Sequence, residues 1–260
     1  FAPIYGTGSL AFDGTGDYLS MPVEPHFDFG TADFTIEGWV NLSATGQFNP
    51  IVYFGRDTHT GIVCDVSSSN NPRIIADIGA SWTTVATGST ALEKNRWYHL
   101  AFVRNGSSFK IYVDGVEDAS ATDSGSITAA TSDSSSVAQI GYLRTNGGAD
   151  RYFNGYLDDV RVTKGIARYT SAFTPPTEID ISLDTHREYV TLFLDGDGTV
   201  NGQNNTFTDS STNGFTVTES GSVAQGVFSP YGDNWANYFD GANDYLELSG
   251  VTNEFDFGSD

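Results

Sequence analysis

An internal repeat runs through this chain of 260 residues. Residues 12–19, FDGTGDYL, return as residues 239–246, FDGANDYL, which places the two copies 227 positions apart. Residues 27–30, FDFG, return as residues 255–258 in the same order, with one residue inserted between the motifs. A period of this length matches a whole domain, so the sequence predicts tandem domains of the same kind.

Between the two copies, the sequence has the pattern of short β-strands joined by tight turns. Phe109, Ile111 and Val113 alternate with Lys110 and Tyr112, which predicts one buried face and one outer face. Further strands are predicted over residues 34–42, 51–54, 62–66, 97–104, 137–142 and 156–163, and a long surface loop over residues 119–136. No segment has a sustained helical period. The predicted fold class is all-β, a two-sheet antiparallel sandwich with the opening strands of a second copy.

Two adjacent prolines mark the predicted end of the first domain. Neither Pro175 nor Pro176 can donate a hydrogen bond to a neighbouring strand, so a sheet is expected to stop there. Residues 178–188 are then predicted to form a linker, and Tyr189 to Leu194 a new strand. The predicted organisation is a sandwich over residues 1–177, a linker over 178–188 and the opening of a second copy over 189–260.

The net charge of the chain excludes some classes of binding partner. Thirty-three acidic and twelve basic residues give a formal net charge of −21, which repels phosphate backbones and anionic membranes, so no nucleic acid partner is expected. No apolar run is long enough to span a bilayer, and membrane insertion is not expected either. The single cysteine, Cys64, cannot form an intrachain disulfide and is predicted to be a small buried side chain.

Five runs of residues, taken in order along the chain, resemble the successive signatures of laminin G-like, concanavalin A-like jelly-roll domains. They are residues 12–19, residues 33–40 (DFTIEGWV), residues 97–101 (WYHLA), residues 112–115 (YVDG) and residues 153–161 (FNGYLDDVR). The resemblance covers residues 1–177, and residues 189–260 resemble the opening of the same module. Tandem modules of this style resemble those of large bacterial adhesins and of phage structural proteins.

In terms of this family, the chain is expected to begin inside one module and to end inside the next. The opening strands of the module are expected within residues 189–227. Such a segment could complete the sandwich of its own chain, pair with a neighbouring chain, or belong to a longer array of repeats. The residues expected to carry this assembly are Tyr189, Leu192, Leu194, Phe207 and Phe215.

The resemblance also implies a structural calcium site, because relatives often build one from two regions found in this sequence. Asp13 and Asp17 lie in a Gly-rich turn, and Asp158 and Asp159 follow Gly155. Carboxylates in turns supply the oxygen ligands that calcium needs. The alternative is that Asp13 is a turn residue and that Asp158 caps a loop through hydrogen bonds.

Glycan binding and glycoside hydrolysis are two further functions found on this fold. The candidates for glycan binding are side chains on predicted loop rims, namely Trp82, Tyr142, Arg144, Asn146, Arg151 and Tyr152. For hydrolysis, residues 178–180 (EID) match the first half of the E-x-D-x-(x)-E strand of related enzymes. The second glutamate is missing, so the pair of carboxylates that hydrolysis requires is not complete and catalysis is not expected.

The predicted function is therefore a non-catalytic structural and adhesive module of an extracellular or virion surface fibre or filament. A carbohydrate-binding, lectin-like domain is the alternative. The expected partners are copies of the chain or adjacent repeats, together with cell-surface glycans. The expected location is outside the cell, on a cell surface or on a virion.

Overall fold

The computed structural model describes residues 8–22, 25–56, 60–79, 81–128, 136–144, 149–177, 179–196 and 206–225. The second copy of the repeat, with residues 239–246, lies outside the described residues. The strands within them, numbered in chain order, are β1 (Leu10–Asp13), β2 (Tyr18–Met21), β3 (Phe34–Leu42), β4 (Asn49–Arg56), β5 (Thr60–Val66), β6 (Pro72–Ile78), β7 (Ser81–Thr87), β8 (Trp97–Asn105), β9 (Ser108–Val113), β10 (Val116–Thr122), β11 (Ser136–Ile140), β12 (Tyr142–Leu143), β13 (Arg151–Tyr152), β14 (Asn154–Lys164), β15 (Val190–Leu194), β16 (Thr218–Ser220) and β17 (Ala224–Gln225). Short 3-10 turns span Pro25–Phe27 and Arg187–Tyr189. No helix in the described part of the chain is long and apolar enough to cross a membrane.

The strands form two antiparallel sheets packed as a sandwich. In the part of the chain described above, the first sheet has the order β10-β9-β8-β3-β14-β1-β17, with β15 also paired to β14. The second sheet has the order β16-β2-β11-β4-β5-β6-β7, and β12 pairs with β13 in a small ribbon. Strands distant in sequence, such as β3 and β14, are neighbours, as in a jelly roll. The prediction of an all-β, two-sheet antiparallel jelly roll is confirmed.

An aromatic-rich core fills the space between the two sheets. Phe27 stacks on Phe54 with ring centroids 4.5 Å apart, and Phe12 meets Phe153 edge-on at 5.7 Å. Cys64 is fully buried in the same core, as the sequence predicted. Such close aromatic contacts give each ring a large buried area together with a preferred geometry. The core therefore stabilises both sheets without a disulfide.

Strands within residues 190–196 and 206–225 join both sheets of the same chain. Leu192 in β15 faces Val162 in the second half of β14, and β1 pairs with the first half, so β15 and β1 lie end to end along one edge of β14. Gly196, just after β15, lies against Ser9, because a Cβ at Gly196 would lie 3.1 Å from the Ser9 Cα. β16 pairs with β2, and β17 pairs with β1.

The side chain of Asp209 holds the loop that follows β15. One carboxylate oxygen accepts hydrogen bonds from the backbone N–H groups of Phe193 and Ser211, at 3.1 and 2.9 Å. The other accepts from the Phe215 N–H at 2.9 Å and from the Ser211 hydroxyl. The hydrogen bonds of Asp209 and Ser211 therefore fix the backbone of this loop, from which Phe207 and Phe215 pack towards the core.

Residues 165–177 and 179–189 pack on the outer face of the first sheet. Tyr112, predicted to point away from the core, is fully buried there, where it meets Phe173 with ring centroids 5.5 Å apart. Ile179 packs against Val190 and Phe193 in a second small apolar cluster. Of the residues 178–188 predicted as a linker, those from 179 to 188 are described, and Ile179 and Asp184 attach them to the sheet.

A buried ionic network attaches this segment to the sheet. Glu37 in β3 accepts two hydrogen bonds from Arg161 in β14, at 3.0 and 2.8 Å, and one from the Tyr169 hydroxyl at 2.8 Å. Arg161 and Arg168 both donate to Asp184, at 2.7 to 3.0 Å. Burial raises the pKa of Glu37, but the charge of Arg161 and the hydrogen bonds outweigh it and bring that pKa down to about 2.

Candidate functional site

The outer face of the second sheet carries a small cluster of apolar side chains that is separate from the core, of which four are buried and one, Trp82, is half-buried. Tyr53, Val63 and Ile75 form its floor, Leu143 packs over them, and Trp82 lies half-buried at its edge. The rings of Tyr53 and Trp82 meet edge-on with centroids 6.4 Å apart. The pairing of β4 with β5 and of β5 with β6 sets these residues side by side, since cross-strand partners point to the same face.

Two polar side chains on this face are buried without satisfying all of their polar atoms. Asp77 lies opposite Trp82 in the β6–β7 pair, and Gln139 lies opposite Tyr53 in the β11–β4 pair. In the described part of the chain, the Asp77 Oδ1 and the Gln139 Oε1 atoms have no hydrogen-bond partner. An unsatisfied buried acceptor costs about 1–3 kcal/mol, so these two atoms lower the stability of the sheet at this face.

Two arginines lie over the Phe48 ring at the other end of this face. The Arg151 guanidinium lies 3.7 Å from the centre of the ring, and the Arg73 guanidinium lies 5.0 Å from it. Arg73 forms a two-pronged ion pair with the buried Asp65, at 2.9 and 2.6 Å. Arg73 lies four residues from Asp77 along β6, a separation of about 13 Å at the usual rise of a strand.

Three tyrosines stack beside the ribbon of β12 and β13. Tyr142 lies between Tyr18 and Tyr152, with ring centroids 4.8 and 4.9 Å away. Burial and the nearby carboxylate of Asp150 raise the pKa of the Tyr142 hydroxyl, so this hydroxyl stays protonated at physiological pH. The stack holds the ribbon in place, and the ribbon in turn positions Leu143 and Arg151 over the outer face.

The structure brings most of the residues predicted for glycan binding to one region. Trp82, Arg151, Tyr152 and Tyr142 lie on or next to the outer face, and Arg144 is exposed at the end of β12. Asn146 lies outside the described residues. The sequence did not single out Tyr53, Asp77, Gln139, Phe48 or Asp65. These residues alternate with core residues along or next to their strands, which is typical of an outer face. Which of them lie side by side on that face depends on the register of the sheet.

The four aspartates predicted to bind calcium do not come together in one site. Asp13 lies opposite Asn154 at the start of β14, about 13 Å along the strand from Asp158. In the residues that the structure describes, no group of three or more His, Cys, Asp or Glu side chains is placed to hold a metal ion. Calcium binding by Asp13, Asp17, Asp158 and Asp159 therefore stays a prediction, without a common ligand set.

The buried carboxylate of Asp17 has a different role in this fold. One oxygen accepts a hydrogen bond from the Asp13 N–H at 2.9 Å, and the other accepts from the Ser222 N–H at 2.6 Å. Burial raises the pKa of Asp17, although both backbone hydrogen bonds oppose that rise. The contact with Ser222 connects the β1–β2 turn to the loop between β16 and β17, which belongs to the C-terminal segment.

The residues predicted for assembly and for hydrolysis are placed as follows. Leu192, Leu194 and Phe207 are buried in the core of their own chain, Phe215 packs against it, and Tyr189 remains exposed. Of the incomplete hydrolase motif, Glu178 lies outside the described residues. Asp180 is exposed in a turn, where it accepts hydrogen bonds from the backbone and hydroxyl of Ser182.

A family model with the description concanavalin A-like lectin/glucanases superfamily (Laminin_G_3) matches residues 13–167. The chain belongs to this family. The predicted resemblance to laminin G-like, concanavalin A-like domains is therefore confirmed. A search of curated proteins finds no match to this laminin G-like chain.

Solved structures with the same fold come from bacteria and from an animal. A candidate carbohydrate-binding protein from Bacteroides ovatus is 18% identical, with a TM-score of 0.62, and the match covers 86% of this chain and 61% of that protein. The LG4-5 domains of the mouse laminin α1 chain are 16% identical, with a TM-score of 0.48, over 66% of this chain and 48% of the laminin structure. Domain 4 of AbnA, an extracellular arabinanase of Geobacillus stearothermophilus, seen in complex with arabinotriose, is 17% identical, with a TM-score of 0.47, over 63% of this chain and 84% of that domain. At these identities the likeness shows the fold alone. The chain spans about three fifths of the Bacteroides protein and about half of the laminin structure.

Proposed function

We propose that this chain is a non-catalytic, lectin-like domain that binds carbohydrate on the outer face of its second sheet. The observation that carries the proposal is the half-buried ring of Trp82 at the edge of the outer face, with the Arg151 guanidinium stacked on Phe48 at the other end of that face. Family membership and the fold shared with the Bacteroides ovatus protein support the same class of function.

The chemistry of this face suits a sugar ring. A sugar presents an apolar C–H face and a rim of hydroxyl groups. Trp82 supplies a flat apolar surface, and the Arg151 guanidinium supplies N–H groups that can donate hydrogen bonds to hydroxyl oxygens.

The carboxylates of this face favour binding over hydrolysis. The positions of Asp65 and Asp77 are about 13 Å apart along the sheet, which exceeds the separation of about 5–9.5 Å between the two carboxyl groups of a glycosidase. Asp65 is also engaged by both prongs of Arg73. Neither geometry nor charge supplies an acid and a base on opposite sides of one glycosidic bond.

The test of this proposal is the replacement Trp82→Ala. We expect this variant to bind a glycan found on an array of plant, microbial and animal oligosaccharides about thirtyfold more weakly, because a central tryptophan contributes about 2 kcal/mol or more to an interface. Trp82→Phe should recover part of the affinity. The control is Trp97→Ala, which removes a partly buried tryptophan from the first sheet.

Affinities measured by isothermal titration calorimetry decide the outcome. An equal loss in Trp82→Ala and Trp97→Ala, or no loss in either, would contradict a site on the outer face. Thermal unfolding of each variant shows whether the fold is intact when binding is measured.

A second candidate function is that of a repeat unit in an extracellular adhesive or structural array, such as a fibre on a cell or virion surface. The 227-residue period favours it, as does the contact of Asp17 with Ser222, by which the C-terminal segment docks on the preceding sandwich. The mass of one period is about 24 kDa in proportion to 27.9 kDa for 260 residues. We expect the native polypeptide to have a mass of several such units.

Intact-mass spectrometry of the native polypeptide, with light scattering before and after calcium chelation, tests this second function. A native chain of one period that stays monomeric in both conditions would contradict both the array and a role for calcium in it.

A further inference from the structure

The cluster around Phe48 has two guanidinium groups for one carboxylate. Arg73 is neutralised by Asp65 through two short hydrogen bonds. The Arg151 guanidinium stacks on the Phe48 ring, 3.7 Å from its centre. In the part of the chain that the structure describes, no carboxylate lies within 4.0 Å of the Arg151 guanidinium, so one positive charge remains unpaired.

Stacking on Phe48 fixes the orientation of this charge. A guanidinium that lies flat on a ring keeps its N–H donors at its edge, where they can form a fork with a planar anion. Burial and the charge of Arg73 lower the pKa of Arg151, whereas Asp65 raises it. The unpaired cation is therefore partly desolvated, and an anion placed beside it would replace the lost hydration.

Arg151 and Trp82, the residue proposed to stack on a sugar, lie at different ends of the outer face. Arg151 lies opposite Leu143 in the β12–β13 ribbon, and Leu143 packs on the same apolar floor as Trp82. The pairing of Arg73 with Asp65 and of Asp77 with Trp82 puts the two ends of this floor about 13 Å apart. A ligand that reaches both ends has to be an oligosaccharide of more than one ring.

We propose that the outer face binds an acidic oligosaccharide, with the carboxylate of a uronic or sialic acid paired to Arg151 and a neutral sugar ring stacked on Trp82. This inference rests on the proposed function and names its class of ligand. A chain with a net charge of −21 repels polyanions at long range, so the acidic group is recognised at one short-range contact and not by a general attraction.

The test uses the full chain and four acidic probes: hexamers of galacturonic acid, guluronic acid and hyaluronan, and α2,3-sialyllactose. Each probe is compared with its own methyl ester, which removes the negative charge and keeps the sugar rings. We expect at least one acidic probe to bind, its ester to bind at least tenfold more weakly, and Arg151→Gln to lower the affinity for the acidic form by at least tenfold. Arg151→Lys should recover only part of it, because lysine lacks the planar fork.

The matched control is Arg96→Gln. Arg96 also stacks on a ring, that of Tyr98 at 4.6 Å, but it precedes β8 in the first sheet. Its replacement makes the same change in net charge, and we expect it to leave the affinity unchanged. An equal effect of Arg96→Gln and Arg151→Gln would mean that the charge acts at long range, which overturns the proposed contact.

The remaining outcomes separate this inference from the proposed function. Binding of the neutral esters as tightly as the acids, or binding of neutral glycans alone, would overturn the acidic ligand and leave a carbohydrate-binding face in place. Failure of every acidic and neutral glycan to bind a folded chain would overturn both.

Discussion

Arg161→Met is expected to lower the free energy of unfolding by about 3–5 kcal/mol, because it leaves the buried charge of Glu37 without its main partner. Both side chains are almost fully buried between the first sheet and the segment that covers it. Arg161 donates two hydrogen bonds to Glu37 and one to Asp184, so its loss also removes a contact that fixes residues 179–189. Urea unfolding monitored by tryptophan fluorescence measures the change.

The double variant Glu37→Leu/Arg161→Met is the control for this prediction. It removes both charges together, and we expect it to recover most of the lost stability, since apolar groups of similar size replace a buried ion pair at little net cost. A loss of less than about 1 kcal/mol in the single variant would show that Glu37 is hydrated or neutral. A double variant as unstable as the single variant would assign the loss to packing.

The effect of Arg161→Met on stability should also depend on pH. The pKa of Glu37 is about 2 in the folded chain and about 4.5 in the unfolded chain. A carboxylate with a lowered pKa stabilises the fold above its unfolded pKa, and this contribution disappears as the pH falls towards the folded pKa. The difference in stability between wild type and Arg161→Met should therefore shrink as the pH falls from about 4.5 to about 2.

Local patterns were enough to predict the class of fold. The strand Phe34–Leu42 was predicted with its observed limits, and β8 was predicted within one residue at its end. Alternation correctly assigned Phe109, Ile111 and Val113 to the core. Alternation failed at Tyr112, because the outer face of this sheet is covered by residues far along the chain. Where a second layer lies over a sheet, both faces are buried and polar alternation no longer marks the surface.

The predicted surface loop over residues 119–136 was wrong at its beginning. Ala119 to Thr122 continue the strand β10, and Ile127 is buried beside Ile78. Asp is depleted in strands, but β10 pairs with β9 along an edge of the sheet, where polar side chains are tolerated. The strands β6 and β7 were not predicted at all, although Ile74 and Ile75 are apolar and β-branched.

The candidate site could be predicted only in its outline. Trp82 and Arg151 were predicted as glycan-binding side chains on loop rims. The apolar cluster of Tyr53, Val63 and Ile75 between them depends on the pairing of three strands. The unpaired acceptors of Asp77 and Gln139 are a property of burial, which a sequence does not show. The calcium prediction treated two pairs of aspartates as one site, and the register of β1 on β14 separates them.

Leu192→Ala is expected to lower the free energy of unfolding of the sandwich by about 2–5 kcal/mol, since it removes a fully buried side chain and leaves a cavity. Leu192 lies in β15, opposite Val162, within the segment that the repeat assigns to the opening of the next domain. The matched control is Leu183→Ala, nine residues earlier and 77% exposed, for which we expect a change of less than about 0.5 kcal/mol.

A small effect of Leu192→Ala, equal to that of Leu183→Ala, would mean that β15 does not belong to this sandwich in solution and pairs elsewhere. A large effect, in a single unfolding transition, would mean that the opening segment of one repeat stabilises the repeat before it. The stability of each unit in an array would then depend on its neighbour, because the composite edge of β15 and β1 along β14 is shared between two periods of the sequence.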